Sequence, residues 1–135
     1  MLRLSILLMS SLLLASVVNS QNLTIKGRVI DYEFSPVAGV DIYTEDQQFR
    51  TRTDQFGYYQ LELPNTYHKV IFFTVGLEIQ EVNLPDNNNS INCILDYANS
   101  DCFYTPSKSK DRKLKNKQQK RMEALYKEAK KRNVF

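Results

Sequence analysis

The sequence has one histidine, His68, and two cysteines, Cys93 and Cys102. A zinc peptidase site needs histidine and carboxylate ligands at fixed spacing. With His68 read as a solvent-facing residue at a strand start, only thiolates and carboxylates remain for a metal. Glycine is scarce as well: four residues, each placed as strand or turn punctuation, so no glycine-rich phosphate loop is present. Ser90 and Ser100 lack the strand–turn–helix elbow that exposes a nucleophile. Glu78 and Glu81 fall on opposite faces of an extended strand and do not converge on one substrate. These absences predict a chain without catalytic residues, cofactor or metal.

Long apolar runs are missing too, except at the beginning. Arg3 supplies a positive start, Leu4 to Val18 is apolar apart from a few serines, and small residues precede Gln21. This is the pattern of a secretory signal over residues 1–20. An uncleaved anchor is the alternative reading, but the run falls short of the roughly 20 residues a membrane-crossing helix needs.

Charge of one sign is lacking in each half of the remaining chain. From Gln21 to Pro106 there are five basic residues against twelve acidic ones; from Ser107 to Phe135 there are twelve basic against three acidic. The net charge of +3 hides an acidic body with a basic tail.

The body reads as short strands. After the turn Asp54-Gln55-Phe56-Gly57, Tyr59, Leu61 and Leu63 fall on one face and Tyr58, Gln60 and Glu62 on the other, the period of a half-buried strand. Leu23 to Asp31, Gly39 to Thr44 and Phe49 to Thr53 precede it. His68 to Val75 follows, its unbroken Val70–Phe73 run predicting cover on both faces. Leu77 to Leu84 changes phase, which predicts a bulge near Gln80. Ile91 to Leu95 closes the set. Seven strands without a helix favour a β-sandwich. Tyr43 and Tyr58 point outward by alternation and form a candidate partner surface.

Cys93 and Cys102 admit two readings. In an exported protein they can form a disulfide if the turn at Asn99-Ser100-Asp101 brings them together. Equally, Cys93 is a buried small hydrophobe and Cys102 an unrelated thiol. After a linker at 99–109, a basic helix is predicted over 110–133. Met122, Leu125, Tyr126 and Ala129 give it a short apolar stripe. Leu125 and Tyr126 are candidate anchors, onto the acidic body or toward a partner. An anionic surface is a further candidate for the basic residues, although the apolar stripe is too narrow for strong insertion. Export argues against nucleic acid.

Four segments occur in order: Ile25-Lys26-Gly27-Arg28-Val29-Ile30-Asp31, Pro36-Val37-Ala38-Gly39-Val40-Asp41-Ile42, Thr53-Asp54-Gln55-Phe56-Gly57-Tyr58-Tyr59 and Phe73-Thr74-Val75-Gly76. Together they resemble the carboxypeptidase-regulatory-like domain, with its Gly-x-Val-x-Asp strand end, Pro-x-x-Gly-Val lead and Thr-Asp-x-x-Gly-x-Tyr hairpin. The resemblance spans roughly Leu23 to Leu95. It implies an all-β, seven-stranded antiparallel transthyretin-like β-sandwich over 21–98, in a stand-alone bacterial form. It also implies an interaction role without chemistry of its own. The expectation is therefore an exported module, periplasmic, outer-membrane-associated or secreted, binding a protein or surface partner. A carbohydrate- or peptide-binding accessory for outer-membrane nutrient uptake is the alternative.

Overall fold

The computed structural model describes residues 21–86, 89–97 and 108–135, with the side chains of 108–111 excepted. The expected signal, Cys102 and most of the expected linker lie outside the described residues.

Seven strands form two sheets. They are β1 (Asn22–Asp31), β2 (Asp41–Tyr43), β3 (Arg50–Arg52), β4 (Tyr58–Pro64), β5 (Lys69–Phe73), β6 (Gln80–Asn83) and β7 (Cys93–Leu95), followed by the helix α1 (Lys108–Lys131). One sheet has the order β4-β1-β7 and the other β3-β2-β5-β6. The β-sandwich is as expected, with one refinement: β1 pairs with β7 in parallel, while the other four ladders are antiparallel.

The core lies between the sheets. Ile25 and Val29 from β1, Leu61 and Leu63 from β4, Ile42 from β2, and Val70 and Phe72 from β5 are all buried there. β4 alternates as predicted, with Tyr59, Leu61 and Leu63 inside and Tyr58, Gln60 and Glu62 exposed. The Tyr59 hydroxyl, carried inside with its ring, donates to Ile91 O at 2.7 Å and so avoids the cost of an unpaired buried polar group.

The turn before β4 is held by Asp54. Its carboxylate accepts from Phe56 N at 2.8 Å and Tyr58 N at 2.9 Å, and Gly57 N donates to Asp54 O at 3.0 Å. Gly57 has φ of 78°, and a Cβ there would lie 2.3 Å from Val29 O. Both conformation and space therefore call for glycine. Thr53 joins the turn to the segment leading into β2: its hydroxyl donates to Val37 O at 2.7 Å and accepts from Val40 N at 2.9 Å. Gly27 serves a different need. A Cβ there would meet Ile91 O at 1.9 Å, so it marks the close approach of β1 to the chain entering β7.

Two local expectations are corrected. The β5 run is not covered on both faces: Val70 and Phe72 are buried, while Ile71 and Phe73 are half-buried on the outer face. The phase change near Gln80 is a break between two pairings. Leu77 bridges Tyr97 and Glu78 N donates to Asp96 O, and only from Gln80 does the chain join β5.

The strands covered on both faces are β1 and β7. Val29, Cys93 and Leu95 point into the sandwich; Ile30 and Ile94 point out of it and are fully buried under α1 with Ala129. Met122, Leu125, Tyr126, Val134 and Phe135 complete this second core. Burying two isoleucine side chains fully contributes about 3–6 kcal/mol, enough to order a helix that is otherwise highly charged.

Lys, Gln, Glu, Ala and Leu, without Gly or Pro, favour the helix. It ends in a Schellman motif. Asn133 takes φ of 54°, Asn133 N donates to Lys130 O at 3.2 Å, and Val134 N reaches back to Ala129 O at 3.2 Å. The motif turns Val134 and Phe135 back onto the sheet. No described helix is long and apolar enough to cross a membrane.

Candidate functional site

The docked helix leaves part of the β4-β1-β7 sheet open. Outward residues of β1 and β4, Lys26, Arg28, Tyr58 and Gln60, form the floor of an open groove of about 480 Å³. Ser90 and Asn92 line it as well, and Phe135 walls it. A second trough of about 390 Å³, lined by Asn92, Tyr126, Lys130, Asn133 and Phe135, shares two of these residues.

Arg28 organises the groove. Its Nε donates to Phe56 O at 3.0 Å and its Nη1 to Val134 O at 2.7 Å. Its guanidinium lies 5.0 Å from the centre of the Tyr58 ring. One side chain thus links the hairpin turn, the exposed tyrosine and the segment after α1. Asn92 Oδ1 accepts from Arg28 N at 2.9 Å where the β1–β7 ladder is interrupted. Phe135 stacks on Tyr126 with ring centres 6.2 Å apart. The result is an aromatic and amide-lined trough with a cationic floor, suited to stacking and hydrogen bonding.

Each predicted site residue except Cys102 has a definite place. Tyr58 is 51% exposed on the groove. Tyr43 is half-buried on β2, in the other sheet. The expectation that the two tyrosines share one face is therefore corrected: the chain changes sheet between β3 and β4. Tyr43 instead belongs to a face where Asp41 pairs with Arg52 at 2.9 Å and Arg50 at 3.4 Å. Leu125 and Tyr126 are half-buried against the chain's own sheet, so of the two anchor readings they take the one onto the body. Cys93 is a free, fully buried thiol; Cys102, its partner in one of the two readings, lies outside the described residues. Burial pushes the Cys93 thiol up to about 12, with a small opposing effect from its hydrogen bond to Tyr126. A thiol so protonated is a poor nucleophile.

A third recess, about 460 Å³, lies beside the β2–β3 turn and includes Glu45, Asp46, Tyr67 and His68. Asp46 accepts from the Thr44 and Tyr67 hydroxyls, both at 2.6 Å, and these bonds lower its pKa. This carboxylate holds two loops together. No group of three or more metal-ligating side chains occurs among the described residues.

Sequence reasoning missed Arg28, Asn92 and Phe135. Arg28 was legible as an outward residue of β1. Asn133, standing just past a run of helix formers, was a stop signal that returns the following aromatic to the body.

A family profile for the CarboxypepD_reg-like domain matches residues 25–101. The chain belongs to this family. The CarboxypepD_reg-like domain is a non-catalytic module, and here it carries α1 as a packed addition beyond the matched span. No curated protein matches the chain. Among solved structures it is similar to 3-chlorocatechol 1,2-dioxygenase from Rhodococcus opacus 1CP, at 17% identity and a TM-score of 0.44, covering 57% of this chain and 60% of that one. It is also similar to the major plantain pollen allergen Pla l 1, at 16% identity and a TM-score of 0.34, covering 56% of this chain and 92% of that one. The chain thus spans less than two thirds of the dioxygenase.

Proposed function

We propose that this CarboxypepD_reg-like domain is an exported, non-enzymatic interaction module of the bacterial cell envelope, and that it binds a protein partner through the Tyr58 groove. The observation carrying this reading is the exposed Tyr58 ring beneath Arg28, next to a trough walled by Phe135. Tyrosine and arginine are the side chains that most often anchor interfaces. The trough is open, which suits a segment of another macromolecule better than an enclosed small molecule. The signal-like residues 1–20 support export.

The test is site-specific photocrosslinking in envelope fractions. A benzophenone at position 58 is expected to give a discrete adduct. The same group at Glu62, exposed on the same strand, is expected to give none. Equal labelling from both positions overturns the reading. A second reading, a carbohydrate- or peptide-binding accessory for nutrient uptake, draws on the Gln60 and Asn92 amides beside the ring. Glycan-array binding lost in Tyr58→Ala favours it over the first.

A further inference from the structure

The face of α1 that points away from the sheet carries a pattern the groove does not use. Lys113, Lys117, Lys120, Lys127 and Lys131 are all exposed, and Ala124 fills the remaining place in their row. At 100° per residue these six positions fall within an arc of about 80°. The arc lies opposite Met122, Leu125, Tyr126 and Ala129, which hold the helix to the sheet. The row runs about 27 Å along the axis at 1.5 Å per residue. No carboxylate lies within the arc. Glu123 and Glu128 lie on its flanks, taken up by Gln119 at 3.1 Å and Arg132 at 2.8 Å. Among the described residues, the ion pairs of α1 use Arg121 and Arg132 rather than the five lysines.

Packing fixes the ridge to the body. The Arg121 guanidinium pairs with Asp96 through contacts of 2.9 and 3.1 Å, and Tyr126 is bonded to β7. The apolar stripe is already occupied, so the outer row acts by charge alone. We propose that this lysine ridge is a docking surface for the anionic headgroup layer of a lipid bilayer, which holds the domain against the membrane without insertion.

Charge complementarity selects this partner. Lysine is a mobile point charge suited to a fluid layer of phosphates, and each one near an anionic surface adds a roughly fivefold gain in partitioning. The arc holds no Arg, Asn or Gln to read base edges or ribose hydroxyls, which argues against a nucleic acid. A straight ridge on a convex helix also meets a plane along its whole length.

The test is co-sedimentation of the folded domain with vesicles. About 30% phosphatidylglycerol in phosphatidylcholine is compared with phosphatidylcholine alone at about 0.1 M and 0.5 M salt. Binding is expected only with the anionic lipid and only at the lower salt. Lys117→Gln with Lys120→Gln is expected to lower partitioning at least about tenfold. The charge-matched pair Arg50→Gln with Arg52→Gln, on the body, is expected to lower it less than about threefold. All four residues are exposed, and circular dichroism with thermal melting confirms that both variants fold. Equal binding to neutral vesicles, or binding retained at high salt, overturns the proposal. So does an equal loss from both pairs, or tighter binding to a short DNA duplex than to the anionic vesicles.

Discussion

The Tyr126 hydroxyl accepts a 3.0 Å hydrogen bond from the Ile94 amide on β7. β7 pairs with β1 on one side only, so its other side presents unpaired backbone groups. Such edges are normally protected. Tyr126 covers this one from a helix that also buries the outward face of the strand. Its second contact, a hydrogen bond with the Cys93 thiol, joins the two cores across the sheet.

Removing that hydroxyl leaves a partly buried N–H without its acceptor. Tyr126→Phe is expected to cost about 1–2 kcal/mol. Tyr58→Phe, on an exposed ring, is expected to change stability by less than about 0.5 kcal/mol. Urea denaturation of the two variants gives the comparison. Equal midpoints contradict the assigned bond.

Gly57 and Gly39 both have positive φ, at 78° and 72°. Around Gly39 nothing lies within 4 Å of an added Cβ, whereas at Gly57 the Cβ would lie 2.3 Å from Val29 O. Gly39→Ala is therefore expected to cost about 1 kcal/mol from conformation alone. Gly57→Ala is expected to cost about 2 kcal/mol more, because Val29 N also bonds Gly57 O at 2.8 Å and that junction must open. Thermal melts of the pair separate the two effects.

The sandwich was legible because its signals are local. Alternation in β4, the Asp54–Gly57 turn and the ordered motifs each depend on neighbouring residues. The covering of the outer face was harder to read. Ile30 lies out of phase with Val29, and Ile94 with Cys93, so a rule of period two sends both to solvent. Their apolar character was the trace of a second layer, and the apolar stripe of α1 was its counterpart. Joining the two required the parallel β1–β7 pairing, which no turn or short motif specifies. Arg28 and Val134 meet through a contact between residues more than a hundred positions apart in the chain, beyond the reach of any local pattern.

Burial holds the Cys93 thiol, raised to about 12, and also raises the Tyr59 and Tyr126 phenols above their ordinary range. For each, the folded value exceeds the unfolded one, so the unfolded chain loses its proton first as pH rises. The stabilisation is complete below about pH 9. It declines between there and about pH 12, by at most about 1.4 kcal/mol per pH unit for each group that titrates. Cys93→Ala is expected to reduce this alkaline slope while lowering stability at neutral pH. Denaturant melts at pH 7, 9 and 10.5 provide the check, and an unchanged slope contradicts the buried thiol.

The placement of α1 across the β4-β1-β7 sheet supports the groove wall and the lysine ridge together. The most direct test is a methyl NOE measurement on the folded protein, observing Ala129 against Ile30 and Ile94. Strong cross-peaks are predicted, because the three residues are fully buried in one cluster. Absent cross-peaks, with Ala129 at its random-coil or isolated-helix shift, would show a helix detached from the sheet.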